Sequence, residues 1–321
     1  MKRAMTPAVL VVLPVLAAAA LTACGGSDDG SSGSGDGLHV AAAFYPVAEA
    51  AAQVGGDRVE VTNLTPAGTE PHDLELTPDQ VDDLEDADLV LYLGQGFQPA
   101  VAEIAERRDG PTVDLLDGID LQAGATAALE AEEGGEGGDG GDGGDEGLDP
   151  HFWLDPQLLG TAVDEITTAL SDIAPEDAAS FEANARTYHD ELTALDDEIE
   201  SRLASCERDE IVTSHAAFYY FAQRYGLTQL AIAGVSPEAE PDAARLADLA
   251  DLIDEHGITT VFYETLVSPD VADTLAREAG VDTAVLNPIE GLTDEQVAAG
   301  DDYASVMRDN LAALTDALGC G

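Results

Sequence analysis

Three of the six histidines and one glutamate stand where ligands to a cation would gather. His72 closes the run Thr65-Pro66-Ala67-Gly68-Thr69-Glu70-Pro71, a loop after a strand-like segment. His151 sits in Asp149-Pro150-His151-Phe152-Trp153, and His215 follows a strand-like run ending at Thr213-Ser214. Glu290 lies in Asn287-Pro288-Ile289-Glu290-Gly291, again just past a strand-like run. In open α/β sheets, ligands bind beyond the carboxyl ends of strands. Three imidazoles and one carboxylate make a four-coordinate N/O set that suits Zn²⁺. The four positions are 79, 64 and 75 residues apart, so one ion would stitch together separate loops. Asp73 and Glu264 lie close enough in sequence to compete for the fourth place; they read as groups that orient the histidine tautomers. His39, His189 and His256 read as structural or exposed.

The elements that must position these groups alternate. Leu38–Phe44, Arg58–Leu64, Asp88–Leu93 and Thr112–Leu116 read as strands, with helices at Pro46–Val54, Thr77–Ala87 and Pro99–Arg107. Such alternation implies parallel βαβ units. A helix from Pro156 to Ile173 follows, then a long stretch to Ala204 with apolar or small residues at helical spacing: Phe181, Ala185, Tyr188, Leu192, Leu195, Ile199 and Leu203. About 30 residues at 1.5 Å each predict a rod of roughly 45 Å. A second set follows, with strands at Glu210–Thr213, Thr228–Ala233, Thr259–Tyr263 and Asp282–Leu286, and helices at Ala216–Tyr225, Pro241–Glu255, Pro269–Glu278 and Asp301–Leu318. The expected fold is α/β: two lobes, each with a mainly parallel sheet, joined by a long rigid helix, with the metal site in the cleft. The expected boundaries are 38–173 for the first lobe, 174–205 for the linking helix and 206–321 for the second lobe.

The ends carry different signals. Lys2 and Arg3 precede a 14-residue apolar run, Ala8–Leu21, too short for a membrane span of roughly 20 residues but suited to an export signal. Residues 1–23 therefore read as a signal peptide. Leu21-Thr22-Ala23-Cys24 resembles the bacterial lipobox, which makes Cys24 the expected lipidation site and places the protein on the outer side of the cell membrane. Residues 24–37 read as a flexible tether, since Gly25–Gly37 holds only Gly, Ser and Asp. Outside the cytoplasm, Cys206 and Cys320 are expected to form a disulfide. Residues 130–149 contain nine acidic residues and nine glycines in 20, and read as an acidic surface loop.

Charge excludes one class of partner. The 321 residues carry 65 Asp+Glu against 12 Lys+Arg, a net charge of −53. A nucleic-acid binder needs a basic stripe to displace phosphate counterions, and none is present. With 45% hydrophobic residues, the chain can bury a sizeable core.

The chain resembles the zinc/manganese solute-binding lipoproteins of bacterial ABC importers. The resemblance is carried by Phe44-Tyr45-Pro46, Pro66-Ala67-Gly68 with Pro71-His72-Asp73, Asp149–Pro156, Ser214-His215-Ala216-Ala217-Phe218, Phe262-Tyr263-Glu264 and Asn287-Pro288-Ile289-Glu290. It implies two lobes on a rigid helix, His72, His151, His215 and Glu290 as ligands, and delivery of the ion to a membrane permease with its ATPase. Members favouring manganese tend to put carboxylates at two of the four positions, so His215 favours zinc. Zinc members often carry a His-rich loop before the second histidine; here that loop is Asp, Glu and Gly.

The expected function is capture of Zn²⁺ outside the cytoplasm by a monomeric, non-enzymatic protein. The rivals are a manganese-binding importer component, a secreted zinc-dependent hydrolase and a surface adhesin using metal only for folding. No H-E-x-x-H and no G-x-S-x-G supports the hydrolase.

Overall fold

Among the described residues, eight short strands form two separate four-stranded sheets, each wholly parallel. The computed structural model describes residues 37–122, 148–239 and 241–321. The expected signal peptide, Cys24, the tether up to residue 36 and the acidic loop up to residue 147 lie outside the described residues.

The first lobe contains β1 (Leu38–Ala42), α1 (Tyr45–Gly55), β2 (Val59–Asn63), α2 (Pro78–Asp86), β3 (Leu89–Tyr92), α3 (Pro99–Ala105) and β4 (Thr112–Asp114). Its strand order is β2-β1-β3-β4, with Val40 opposite both Val61 and Leu89. Every residue of β3 is buried, as a parallel strand covered by helices on both faces requires. Thr77 starts α2 through a reciprocal capping box with Gln80.

The second lobe contains β5 (Glu210–Thr213), α6 (Tyr219–Tyr225), β6 (Thr228–Ala231), α7 (Ala243–His256), β7 (Thr260–Tyr263), α8 (Asp270–Ala279), β8 (Asp282–Val285), α9 (Asp294–Ala299) and α10 (Tyr303–Leu318). Its order, β6-β5-β7-β8, repeats that of the first lobe.

Between the sheets run α4 (Pro156–Ile173) and α5 (Ala178–Leu203). The buried face of α5 consists of Phe181, Ala185, Tyr188, Leu192, Leu195, Ile199 and Leu203, the predicted stripe, together with Asp196. Its 26 residues make a rod of about 39 Å. The predicted rod is longer because the sequence reading ran it back through Ala174-Pro175-Glu176. Pro175 disfavours helical backbone at Ala174, which at φ −126 and ψ 75 is non-helical, and the helix restarts after Asp177. This spine packs on α1 and α4 on one side and on α6 and α10 on the other. One continuous core therefore runs from Val40 in β1 to Leu318 at the end of α10. A smaller core lies under α7 and α8, around Leu249, Ile253, Val261 and Leu275. No described helix is long and apolar enough to cross a membrane.

Two further differences from the sequence reading bear on the site's surroundings. Helix α6 starts at Tyr219, not Ala216. The His215 carbonyl, which would accept an early helical bond, is taken instead by Thr213 Oγ1 at 2.7 Å and Gln229 Nε2 at 3.0 Å. Helix α9 is an additional element, six residues long, started by a Thr293–Gln296 capping box. Cys206 and Cys320 are bonded, tying the chain's end to the end of the spine.

Candidate metal centre

Each of the four residues is delivered by a different local device. The His72 loop leaves β2, and Thr65 Oγ1 anchors it by donating to the Ala43 carbonyl at 2.8 Å. Gly68, at φ +74, turns the loop so that its N–H donates to the Leu292 carbonyl at 2.8 Å. That bond joins the loop carrying His72 to the segment just past Glu290, across the cleft. Glu70 accepts the His72 backbone N–H at 3.0 Å.

His151 sits at the mouth of a short 3-10 turn, Phe152–Leu154, that leads into α4. Asp149 Oδ1 accepts both the His151 backbone N–H at 2.9 Å and its ring Nδ1–H at 2.7 Å. His215 follows β5 after one residue, Ser214. Its Nδ1 donates to Glu264 Oε1, just past β7, at 2.6 Å. A carboxylate on Nδ1 fixes the tautomer, so Nε2 of both rings carries its lone pair toward the cleft.

Glu290 is aimed by a turn. Ile289 is fully buried and adopts φ +56, a conformation that costs a β-branched residue on the order of 1–3 kcal/mol. The Asn287 side chain holds the turn by accepting the Ile289 N–H at 2.8 Å.

The four groups converge. Glu290 Oε1 lies 3.2 Å from Nε2 of His72, of His151 and of His215. His151 Nε2 is 3.4 Å from His72 Nε2 and 3.3 Å from His215 Nε2. Zinc–nitrogen bonds of about 2.0–2.1 Å in a tetrahedron imply ligand–ligand edges of about 3.3 Å. Five of the six edges thus have the length a zinc tetrahedron needs, and all four ligand atoms lie within 4.8 Å of one another. His151, His215 and Glu290 are buried; His72 is the partly open member, its side chain 9% exposed. Aromatic rings wall the cradle. Phe97 packs edge-on against His72 at 4.6 Å, and Trp153 lies 5.1 Å from His151. The low dielectric of such a wall strengthens every charge interaction inside it.

Burial and charge pull the protonation equilibria apart. Burial disfavours charge on His215, but Glu264 and Glu290 outweigh it and hold the ring's pKa well above the ordinary value. Burial acts the same way on His151, and Asp149 reverses it, leaving a raised value. On His72 burial wins and the value falls. Glu290 would be pushed up by burial, but His215 and the three imidazole contacts hold it well below the carboxylate range. Glu70 is raised to about 7 by burial and then by the charge of Glu290. Metal binding therefore displaces protons from rings, not from the carboxylate.

Glu264 stands at an imidazole, 2.6 Å from His215 Nδ1. Asp73 does not stand at an imidazole: it is exposed, and its backbone N–H points to Glu70 at 3.4 Å. Sequence reasoning missed Asp149 in this role, although a carboxylate two residues before a histidine is the usual signature of such a turn. The other histidines are engaged elsewhere: His39 with Thr62, His189 with Asp164 and His256 with Glu210.

Two parallel-sheet lobes on a helical spine, with a buried three-imidazole, one-carboxylate cradle in the cleft, define a metal-site member of the two-lobed solute-binding class. Residues 40–317 match the family described as zinc-uptake complex component A, periplasmic, and the chain belongs to that family. It is similar to the high-affinity zinc uptake system protein ZnuA of Bacillus subtilis, 40% identical over 303 residues that cover 93% of each chain. It is 39% identical over 284 residues to the zinc-binding protein AdcA of Streptococcus pyogenes, covering 86% of this chain but spanning only 55% of that relative's length. Among solved structures, the Zn(II)-bound ZnuA-like domain of Streptococcus pneumoniae AdcA matches with a TM-score of 0.72 and 36% identity, over 88% of this chain and 99% of that one.

Proposed function

We propose that the protein captures Zn²⁺ with high affinity outside the cytoplasm and hands it to a membrane ABC permease, with His72, His151, His215 and Glu290 as the four ligands. The observation that carries the reading is the set of 3.2–3.4 Å separations among three Nε2 atoms and one carboxylate oxygen. Three nitrogens with one oxygen favour Zn²⁺ over Mn²⁺, which suits oxygen-rich octahedral shells. Four protein ligands complete a tetrahedron and leave no place for the reactive water of a catalytic zinc, which argues against the hydrolase. Family membership supports the same direction. Lipid attachment at Cys24, a tether over 24–37, lobes at 38–173 and 206–321 on a linking segment at 174–205 that holds α5, and a monomeric state complete the proposal.

Competitive titration with Zn²⁺ and Mn²⁺, with metal analysis of the purified protein, tests it. The expected result is one Zn²⁺ per chain, bound far more tightly than Mn²⁺. Zinc should raise the melting temperature by mass action, because only the folded chain assembles the site. His215→Ala should lose most of that rise. Absence of saturable zinc binding, or a preference for Mn²⁺, would overturn the assignment.

A further inference from the structure

The geometry points to Asn310, a residue of α10 that touches no ligand atom, as the positioning residue that sets zinc affinity through Glu290. This inference rests on the metal-binding reading above.

Asn310 is 4% exposed, and both ends of its amide are spent on one backbone unit. Its Oδ1 accepts the Asn287 N–H at 2.8 Å, and its Nδ2 donates to the Asn287 carbonyl at 2.7 Å. The side chain thus serves Asn287 as a neighbouring strand would, and the backbone polarity permits only one orientation of the amide. Asn287 follows the last strand, and three residues later the chain must present Glu290.

Those three residues are held one by one. Asn287 is gripped by Asn310. The Pro288 carbonyl accepts Trp153 Nε1–H at 2.8 Å. The Ile289 N–H is taken by Asn287 Oδ1 at 2.8 Å. Trp153 is itself fixed by Tyr303, whose hydroxyl donates to the Trp153 carbonyl at 2.7 Å. Tyr303 and Asn310 both belong to α10, seven positions apart and therefore on one face of the helix. A single rigid helix thereby sets both the turn carrying Glu290 and the turn carrying His151.

The need for such a grip is visible in the backbone. Ile289 holds φ +56 only because its surroundings over-determine it. The Asn287 Nδ2 atom is buried without a hydrogen-bond partner. An unsatisfied buried donor is tolerated because its Oδ1 is required by Ile289. Aspartate would remove the orphan donor, but would set a second negative charge near Glu290. Releasing Asn310 frees Asn287, lets Ile289 relax toward negative φ, and swings Glu290 Oε1 away from the three Nε2 atoms.

A double-mutant cycle tests this: wild type, Asn310→Leu, Glu290→Ala and the double variant, each titrated with Zn²⁺ against a chelator. The melting temperature of each metal-free form is recorded in parallel. With Glu290 present, Asn310→Leu should weaken zinc binding about 10–100-fold, the usual cost of losing a partner that orients a ligand. In the Glu290→Ala background the same change should weaken it less than about threefold, because the group it positions is gone. An equal loss in both backgrounds would reduce Asn310 to a general stabiliser, and no loss in either would end the proposal. If Asn310→Leu does not fold, Asn310→Asp goes through the same cycle with the same criteria. It keeps the acceptor for Asn287 N–H and replaces the donor with a carboxylate oxygen that repels the Asn287 carbonyl. A wild type that fails to bind zinc would refute the metal reading itself, which the cycle separates from failure of the positioning role.

Discussion

Glu264 Oε1 lies 2.6 Å from His215 Nδ1, with both side chains buried. The pair joins the ends of β5 and β7, neighbouring strands of the second sheet. Two consequences follow from one contact. The carboxylate forces the proton onto Nδ1 and so turns the Nε2 lone pair inward. It also stabilises the protonated ring, so a proton competes with zinc at His215.

Glu264→Gln should therefore act on affinity and on proton release together. The amide preserves shape but removes the charge. Zinc affinity is expected to fall about 10–100-fold. Fewer protons should leave per zinc at neutral pH, because burial then works against the charged ring with only Glu290 opposing it. Calorimetry in buffers of different ionisation enthalpy counts those protons. Unchanged proton release would show that Glu264 does not control the ring.

The same shifts fix the pH dependence of the metal-free protein. The folded pKa of His215 is raised above 6.5, so its contribution to stability is whole below that value and is lost as pH rises through the folded value. Glu290 is depressed below 4.5; its contribution is whole above that value and is lost as pH falls through the folded value. The pair thus favours the metal-free fold most between 4.5 and 6.5. Zinc reverses the upper side, since it needs the lone pair that protonation removes. The rise in melting temperature caused by zinc should be larger at about pH 8 than at about pH 5.5. Equal rises at both would contradict the assignment of His215 as a titrating ligand.

Much of this arrangement is legible in the chain. Short β-rich runs alternating with helical patterns suffice for two parallel sheets, because buried parallel strands read as apolar runs. The spine's stripe from Phe181 to Leu203 is periodic enough to be read residue by residue. The three histidines and Glu290 stand out because each follows a strand or a proline-marked turn. What stays hidden is contact between distant segments. Nothing local marks Asn310 as the partner of Asn287, or Phe97 as the wall of His72. The late start of α6 depends on Gln229, 14 residues beyond the carbonyl it occupies. Asp73 is one residue from a histidine and Asp149 two, and only the fold decides which carboxylate meets a ring.

Stability should depend strongly on salt. A net charge of −53 repels itself, and the arginine ion pairs among the described residues offset little of it: Arg58 with Asp177, Arg107 with Glu103, Arg186 with Glu182, Arg208 with Glu207, Arg224 with Asp196 and Asp155, Arg308 with Glu198. Raising ionic strength from about 0.1 M to about 1 M shortens the screening length from about 10 Å to about 3 Å. The melting temperature of the metal-free protein should climb over that range, since screening relieves repulsion more than it weakens the few exposed pairs. A melting temperature that falls with added sodium chloride would show that ion pairs outweigh repulsion.

The disulfide should matter to stability more than to the site. Cys206 and Cys320 are 114 residues apart, so their bond removes a large loop from the unfolded ensemble. Loss of such a bond typically costs about 2–4 kcal/mol. The same junction has other fastenings: the Leu318 carbonyl accepts the N–H groups of Glu207 and Arg208 at 3.0 and 3.1 Å, and Arg208 Nε donates to the Ala317 carbonyl at 3.1 Å. Those bonds keep the last turn of α10 seated when sulfur is replaced. Asn310 lies more than two turns farther up the helix, with Leu311 and Leu314 packed in the core between it and the end. Cys320→Ser should therefore lower the urea midpoint by an amount worth about 2–4 kcal/mol while leaving the zinc dissociation constant within about threefold. An unchanged midpoint would mean that the hydrogen bonds alone hold the junction. A large loss of affinity would mean that α10 transmits strain from its end to the turn carrying Glu290.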